Sequence, residues 1–140
     1  EISAAIGIEQ IKRFPKFLTI RKKNYKYLVS KIIKKESFNI IKFENKPFYG
    51  SYYCLCLIIN DRTINRLEII NKLNKEGVGT SIYYPKPIPE MSYYKKKYGY
   101  SPSKFKNAEK FSYRSIALPL GTHLTNKDLN LIANSINKVL

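Results

Sequence analysis

The chain has 140 residues, of which 44% are hydrophobic and 26% charged, the proportions of an ordinary soluble globular protein. This length predicts one domain, 1–140, with enough residues for a hydrophobic core. No apolar run approaches the roughly 20 residues that cross a bilayer, and no basic-then-apolar leader opens the chain, so we expect a cytoplasmic protein without a membrane partner.

The chain is strongly basic: it has 26 Lys and Arg residues and only 10 Asp and Glu residues, which gives a net charge of +16. A charge of this size favours polyanions such as nucleic acid, acidic lipid or nucleotide phosphates. The lysines are nevertheless scattered along the whole chain. Together with the abundant Ile, Asn and Tyr they also fit a solvated surface encoded by AT-rich codons.

The first stretch, to about Lys35, has helical periodicity from Ile2 onward. Pro15 interrupts the pattern, and it fits either the first turn of a second helix or a kink in a single long one. One face of the later part is predicted to be buried, because its apolar residues are seven, three and four positions apart: Leu18, Tyr25, Leu28 and Ile32.

Two strands are predicted next, over 38–43 and 49–59, because both runs are rich in β-branched or aromatic residues. A helix of about a dozen residues follows, with a predicted buried face of Ile64, Leu67, Ile70 and Leu73, and Gly77 ends it. A third strand is predicted over 79–84.

The last third begins with prolines at every second position, 85, 87 and 89, which exclude a regular helix or central strand. Two helices are predicted over 91–97 and from about Ser103 to Arg114, then a short strand over 116–118. Thr125 with Asp128 predicts the capped start of a final helix. The order of elements predicts an α+β fold with a small, mostly antiparallel sheet packed with helices.

Candidate catalytic groups are few. Cys54 and Cys56 lie two apart in a predicted strand, where the side chains share a face but do not easily close on each other, so we expect reduced thiols. They have no second Cys or His pair nearby for zinc. His123, the one histidine, has no nucleophile near it in sequence and is expected to be structural or exposed. The sequence alone therefore offers no complete active site and no metal site.

One segment differs from plain core sequence: the predicted strand that enters the proline-rich loop. Tyr83, Tyr84 and Lys86 stand there, and they offer aromatic faces, hydroxyl groups and a cation for phosphate. The alternative is that the two tyrosines lie on opposite faces of a strand end, one in the core and one in solvent. The pattern alone does not decide between these alternatives.

Several ordered segments resemble one family. Residues 1–11, EISAAIGIEQI, are similar to the MSEIQAAIGLAQL helix of the DegT/StrS-type sugar-nucleotide aminotransferases, and 77–89 resemble their GIGT…HYPPPLH segment. Residues 93–100, 107–109 and 114–125 match the later part of the pattern, which ends in SLPL…LT. Tyr83 stands where the family often has His, and the Tyr-Tyr-Pro sequence resembles members close to perosamine synthases.

The resemblance implies a small C-terminal domain of the aspartate-aminotransferase fold. Such enzymes work as homodimers and use pyridoxal phosphate (PLP) to move an amino group, usually from glutamate, to a keto-sugar nucleotide. The cofactor's lysine, its aspartate and its main phosphate ligands belong to a large domain upstream. The resemblance therefore implies no catalytic or cofactor-binding residue here, and no cofactor for this chain alone. It implies substrate contact at Tyr83, Tyr84 and Lys86.

Two other hypotheses follow from the same sequence. A small basic α+β module that binds nucleic acid would need lysines on one face and exposed aromatic residues, and the scattered lysines make that partner less expected. The other is a degenerate fragment that serves only as an interaction or dimerisation piece. Because the first residues already read as helix without a methionine, we expect a fragment. We also expect exposed apolar surface on the first helix, where the missing large domain would pack, and hence self-association.

Overall fold

A computed structural model describes residues 1–42, 44, 45 and 48–140 of the chain. It has five α-helices: α1 (Ile2–Lys31), α2 (Arg66–Lys75), α3 (Ser92–Tyr98), α4 (Lys106–Arg114) and α5 (Asn126–Val139). It has five strands: β1 (Phe38–Ile40), β2 (Glu44–Asn45), β3 (Phe48–Tyr49), β4 (Leu55–Ile59) and β5 (Ser115–Leu118). Two short 3₁₀ turns, Ile88–Glu90 and Pro102–Phe105, precede α3 and α4. The predicted α+β class is confirmed.

The main sheet has three antiparallel strands in the order β1–β4–β5. Its register places Leu57 of β4 between Ile40 of β1 and Ile116 of β5. The central strand β4 and the edge strand β5 are almost wholly buried, because helices cover this small sheet. Strands β2 and β3 form a separate two-stranded hairpin.

Helices α1, α2 and α5 supply the rest of the core. In α2 the predicted buried face is wrong at Leu67, which is 59% exposed, because the core-facing stripe runs through Ile69 and Leu73. Leu28, Leu73 and Ile136 are completely buried, one from each helix. Thr125 and Asp128 form the predicted capping box at the start of α5: the Asp128 N–H donates to the Thr125 hydroxyl, and the Asp128 carboxylate accepts from the Thr125 N–H at 2.8 Å. The fold of the final helix is therefore confirmed down to its cap.

The first helix resolves the two alternatives for Pro15, which lies inside one continuous helix of 30 residues. Proline removes one backbone donor from the helix interior. The Thr19 hydroxyl donates to the Pro15 carbonyl at 3.0 Å within this stretch. Only the second half of α1 packs on the core, and within residues 2–16 all but Gly7 are exposed.

Two strand predictions need correction. The predicted strand over 49–59 is regular only from Leu55, because Tyr52 has a positive φ of 49° that turns the backbone out of the extended conformation. The predicted strand over 79–84 is reduced to one antiparallel bridge between Ser81 and Ala117. In this register Tyr83 would stand opposite Ser115, the first residue of β5, so little of β5 is left for the ladder to continue along. Phe43, the predicted end of the first strand, lies outside the described residues.

Candidate substrate-contacting surface

Tyr83 follows directly on the segment that is tied to the edge of the main sheet. The N–H of Ser81 donates to the Ala117 carbonyl at 3.0 Å, and the N–H of Ala117 donates back to Ser81 at 2.9 Å. Two residues later the chain has left the sheet, and Tyr83 is 44% exposed. The tyrosine is thus held at a fixed place while its side chain stays accessible.

The Tyr83 ring packs against Tyr53, which enters from the turn before β4. The ring centroids are 5.8 Å apart at an angle of 43°. The guanidinium carbon of Arg21 lies 5.9 Å from the centre of the Tyr53 ring, a cation–π contact from α1. The Nε atom of Arg21 is buried and, among the described residues, has no hydrogen-bond partner. Three separate elements therefore meet at this cluster, with one N–H donor left over.

The cluster changes the acidity of Tyr83. Partial burial of the phenol, followed by its hydrogen bond with Tyr53, raises the pKa of Tyr83 to about 12. Burial disfavours the charged phenolate, and the hydrogen bond stabilises the neutral form. The Tyr83 hydroxyl is therefore protonated at neutral pH and available to donate or accept a hydrogen bond.

Tyr84 and Lys86 line a neighbouring shallow groove on the proline loop. The floor of the groove is mainly apolar, formed by the loop and by α4 and the turn before it: Pro87, Ile88, Pro89, Phe105, Ala108, Phe111 and Ser112. Tyr84 is 59% exposed and Lys86 is also at the surface. The structure thus brings Tyr84 and Lys86 together at one groove and places Tyr83 with Tyr53 and Arg21. The alternative in which one tyrosine of the pair is in the core is wrong, since both are exposed.

The two cysteines are closer than a regular strand led us to expect. Their Sγ atoms are 3.4 Å apart, within hydrogen-bond contact, and both are free thiols. The hydrogen bond with Cys56, together with one from Tyr83 and against the effect of burial, lowers the pKa of Cys54 to about 7. The same hydrogen bond and burial raise the pKa of Cys56 above its ordinary value. The pair is therefore part of the Tyr53–Tyr83 cluster.

A second aromatic cluster covers α3 and the turn that follows it. The Tyr98 ring stacks on Tyr94 and on Tyr100, with centroids 6.3 Å and 5.4 Å apart, and Tyr100 meets Phe105 edge-on at 5.4 Å. The Lys97 ammonium lies 5.3 Å from the centre of the Tyr98 ring. These rings pack mainly on one another, so they hold α3 against the next turn.

His123 is exposed in the loop before α5, as expected. Its imidazole covers Gly121, where a Cβ atom would come within 2.3 Å of the ring. The Gly121 carbonyl accepts a hydrogen bond from the buried Asn24 side chain at 3.0 Å. The hydrogen bond ties the loop to α1, and the contacts of His123 within the loop are packing contacts.

The described residues do not fit PLP by themselves. The cofactor requires a lysine for its imine and, in the family that the sequence resembles, an aspartate for its ring nitrogen. Every lysine in the described ranges is exposed except the half-buried Lys22. Both aspartates have other roles: Asp61 accepts hydrogen bonds from Thr63 in a turn, and Asp128 belongs to the capping box of α5.

The described part of the chain contains no group of three or more His, Cys, Asp or Glu residues that could hold a metal ion. None of the described helices combines the length and apolarity that a bilayer crossing requires.

The sequence does not identify Tyr53 and Arg21 as neighbours of Tyr83. The missing signal was the turn at Tyr52. A buried tyrosine with positive φ is rare, and nothing in the local sequence indicates it.

The comparisons identify the family. Residues 1–137 match the profile of the DegT/DnrJ/EryC1/StrS aminotransferase family, and the chain belongs to it. An uncharacterised protein of Methanocaldococcus jannaschii is 32% identical to all of this chain, which covers 36% of that relative. A Campylobacter jejuni UDP-4-amino-4,6-dideoxy-N-acetyl-beta-L-altrosamine transaminase is 24% identical over the whole chain and 36% of its own length.

Solved structures have the same fold. Helicobacter pylori PseC, an aminotransferase involved in the biosynthesis of pseudoaminic acid, has a TM-score of 0.84 at 24% identity, over 99% of this chain and 36% of its own. The PMP-form of a sugar aminotransferase from Streptococcus pneumoniae also gives 0.84, at 24% identity, over 97% and 34%. The resemblance and the fold class are confirmed, and the chain spans about a third of these relatives. No comparison supports the nucleic-acid-binding alternative.

Proposed function

We propose that this chain is the small C-terminal domain, residues 1–140, of a PLP-dependent aminotransferase. The enzyme transfers an amino group from glutamate to a keto-sugar nucleotide in the cytoplasm. The observation that carries the proposal is the family match over residues 1–137, with related proteins about three times as long as the chain. The cofactor, and the lysine and aspartate that bind it, belong to a large domain of the same polypeptide. The chain by itself holds no cofactor and is inactive.

In this proposal the two neighbouring surfaces divide the contacts with the nucleotide sugar. Tyr84 offers an exposed aromatic face at the groove, and the Lys86 ammonium pairs with a phosphate oxygen. Tyr83 presents a protonated hydroxyl to a sugar or phosphate oxygen, held in place by Tyr53. These groups bind and orient substrate, and none takes part in the cofactor's chemistry.

The apolar face of α1 supports the proposed contact with the large domain and a second subunit. Ile11 and Phe14 are 74% and 47% exposed. Phe14 follows Ile11 by three positions and precedes Leu18 by four, so the three residues form one stripe along the helix. At Leu18 this stripe reaches the part of the helix that packs against the core. Isolated domains rarely expose an apolar stripe of this kind unless something packs on it.

The experiment is to produce the protein from the gene extended upstream of Glu1, with the 140-residue chain as its control. We expect the longer protein to be yellow, with a visible absorbance that glutamate bleaches, and the control to be colourless. A longer protein that neither binds PLP nor responds to glutamate would refute the aminotransferase assignment.

The substrate contacts are tested separately in the longer protein. Lys86→Ala and Tyr83→Phe should raise KM for the nucleotide sugar, by about tenfold for a lost charge–phosphate contact. The KM for glutamate should not change. Lys96→Ala removes another exposed lysine and is the matched control. Equal KM values for the Lys86 variant and its control would remove Lys86 from the site.

A further inference from the structure

The cluster beside Tyr83 contains a group that substrate binding does not use, the thiol pair of Cys54 and Cys56. We propose that Cys54 and Cys56 are a redox-active dithiol that closes into an intrachain disulfide by exchange with a low-molecular-weight disulfide. The proposal rests on the arrangement of the two thiols and is independent of the aminotransferase assignment.

The two sulfur atoms are close enough for a disulfide to form with a small movement. The Sγ atoms are 3.4 Å apart, and a disulfide requires about 2.05 Å. Two residues of extended chain separate the Cα atoms by roughly 6.6 Å, which lies inside the range of about 4.4–6.8 Å found for disulfides. A shift of little more than 1 Å in one side chain therefore brings the sulfurs to bonding distance.

The backbone assigns that shift to Cys54. Cys56 is fixed inside the sheet, paired with Ala117 on one side, while its carbonyl accepts from the Ile41 N–H at 3.1 Å on the other. Cys54 lies before the first residue of β4 and just after the left-handed turn at Tyr52. Its backbone has no place in either ladder of the main sheet, so it can adjust without breaking a strand pairing.

Exposure and acidity assign the order of reaction. Cys54 is half-buried and can be reached from solvent, whereas Cys56 is 6% exposed. The lowered pKa of Cys54, about 7, leaves a large thiolate fraction at neutral pH, and the thiolate is the nucleophile in exchange. Cys56 therefore acts second, from inside the protein.

The chemistry balances in two steps. The Cys54 thiolate attacks one sulfur of the small disulfide, forms a mixed disulfide and releases one thiolate. The Cys56 thiol then loses its proton and attacks the Cys54 sulfur, forming the Cys54–Cys56 bond and releasing the second small thiol. The protein loses two electrons, and the small disulfide is reduced to two thiols.

The test uses the 140-residue chain in oxidised glutathione, followed by acid quenching, alkylation of remaining thiols with N-ethylmaleimide in denaturant, and intact-mass analysis. We expect the wild-type protein to carry neither maleimide nor glutathione, because both thiols are in the intrachain bond. Cys56→Ala should stop at one glutathione on Cys54. Cys54→Ser should react with glutathione about tenfold more slowly, since only the covered thiol remains.

Three results would overturn the proposal: two maleimide adducts on the wild-type protein, a glutathione adduct that persists on it, or a disulfide-linked dimer on a non-reducing gel. Far-ultraviolet circular dichroism of each variant checks that it is folded. If a variant is unfolded, the result for the wild-type protein decides the test by itself.

Discussion

The side chain of Asn137 in α5 closes the end of α1 by donating from its Nδ2 atom to the Lys31 carbonyl at 3.0 Å. Its Oδ1 atom accepts from the N–H of Ile33 at 2.8 Å, just past the end of the helix. The last carbonyls of a helix lack partners within it. One amide from the last helix thus satisfies a donor and an acceptor at the end of the first, more than 100 residues earlier in the chain.

We therefore expect Asn137→Ala to lower the free energy of unfolding by about 1–2 kcal/mol, from two hydrogen bonds lost at a partly exposed site. Urea unfolding followed by circular dichroism measures the change. Asn134→Ala is the matched control, because Asn134 lies on the exposed face of the same helix. If the two variants unfold at the same urea concentration, the contact contributes nothing to stability.

The capping box of α5 should make stability depend on acidity. Hydrogen bonds from Thr125 to the Asp128 carboxylate hold the pKa of Asp128 below its usual value. A carboxyl group with a lowered pKa in the folded state stabilises the protein above its unfolded pKa of about 3.9, and this contribution is lost as the pH falls through the folded value.

Asp128→Asn should accordingly lower the urea midpoint at neutral pH and flatten its decline in acid. Thr125→Ser keeps the hydroxyl and should retain the wild-type profile. The measurement is a series of urea unfolding curves from about pH 7 to about pH 3. An Asp128→Asn protein that loses stability in acid as steeply as the wild type would contradict the assignment.

Much of the fold could be predicted because it depends on local rules. The spacing of Thr125 and Asp128 predicts the capped start of α5. Gly77 has the positive φ of 84° that is typical of the residue after a helix, and it ends α2 as predicted. The candidate surface at Tyr83, Tyr84 and Lys86 could be predicted only as a segment. The turn at Tyr52 depends on tertiary packing, because the Tyr52 ring is buried 5.2 Å from that of Tyr25. That packing shortens β4 and brings the two thiols together, and no local pattern encodes it.

The family, in contrast, was predicted correctly from short ordered segments. Residues 77–89 contain the Gly-Val-Gly-Thr and Tyr-Pro elements of the resemblance even though most of that run is not a strand. Sequence resemblance depends on conserved positions in a chain, so an irregular loop preserves it as well as a helix does. The roles of Tyr83, Tyr84 and Lys86 remain predictions.

Cys54 should react with an alkylating agent at neutral pH. Because the hydrogen bond with Cys56 is the main cause of its lowered pKa, the rate of iodoacetamide reaction should rise with pH to a midpoint near 7. Cys56→Ala should shift that midpoint upward toward the ordinary cysteine value of about 8.5. Mass mapping of the modified peptide distinguishes the two thiols. A midpoint that Cys56→Ala leaves in place would assign the acidity of Cys54 to another neighbour.

The predicted exposure of apolar surface on α1 is confirmed, and its predicted consequence is self-association of the 140-residue chain. Ile11→Lys and Phe14→Lys place charges on the stripe, so each should shift the chain toward monomer by sedimentation velocity and reduce binding of an apolar dye. Ala5→Lys is the control, because Ala5 is exposed and lies on the side of the helix away from both Ile11 and Phe14. If the wild-type chain is already a monodisperse monomer that binds no dye, the stripe does not drive association. Equal effects of Ala5→Lys and Ile11→Lys would instead assign the loss of association to repulsion by the added charge, since the protein already carries a net charge of +16.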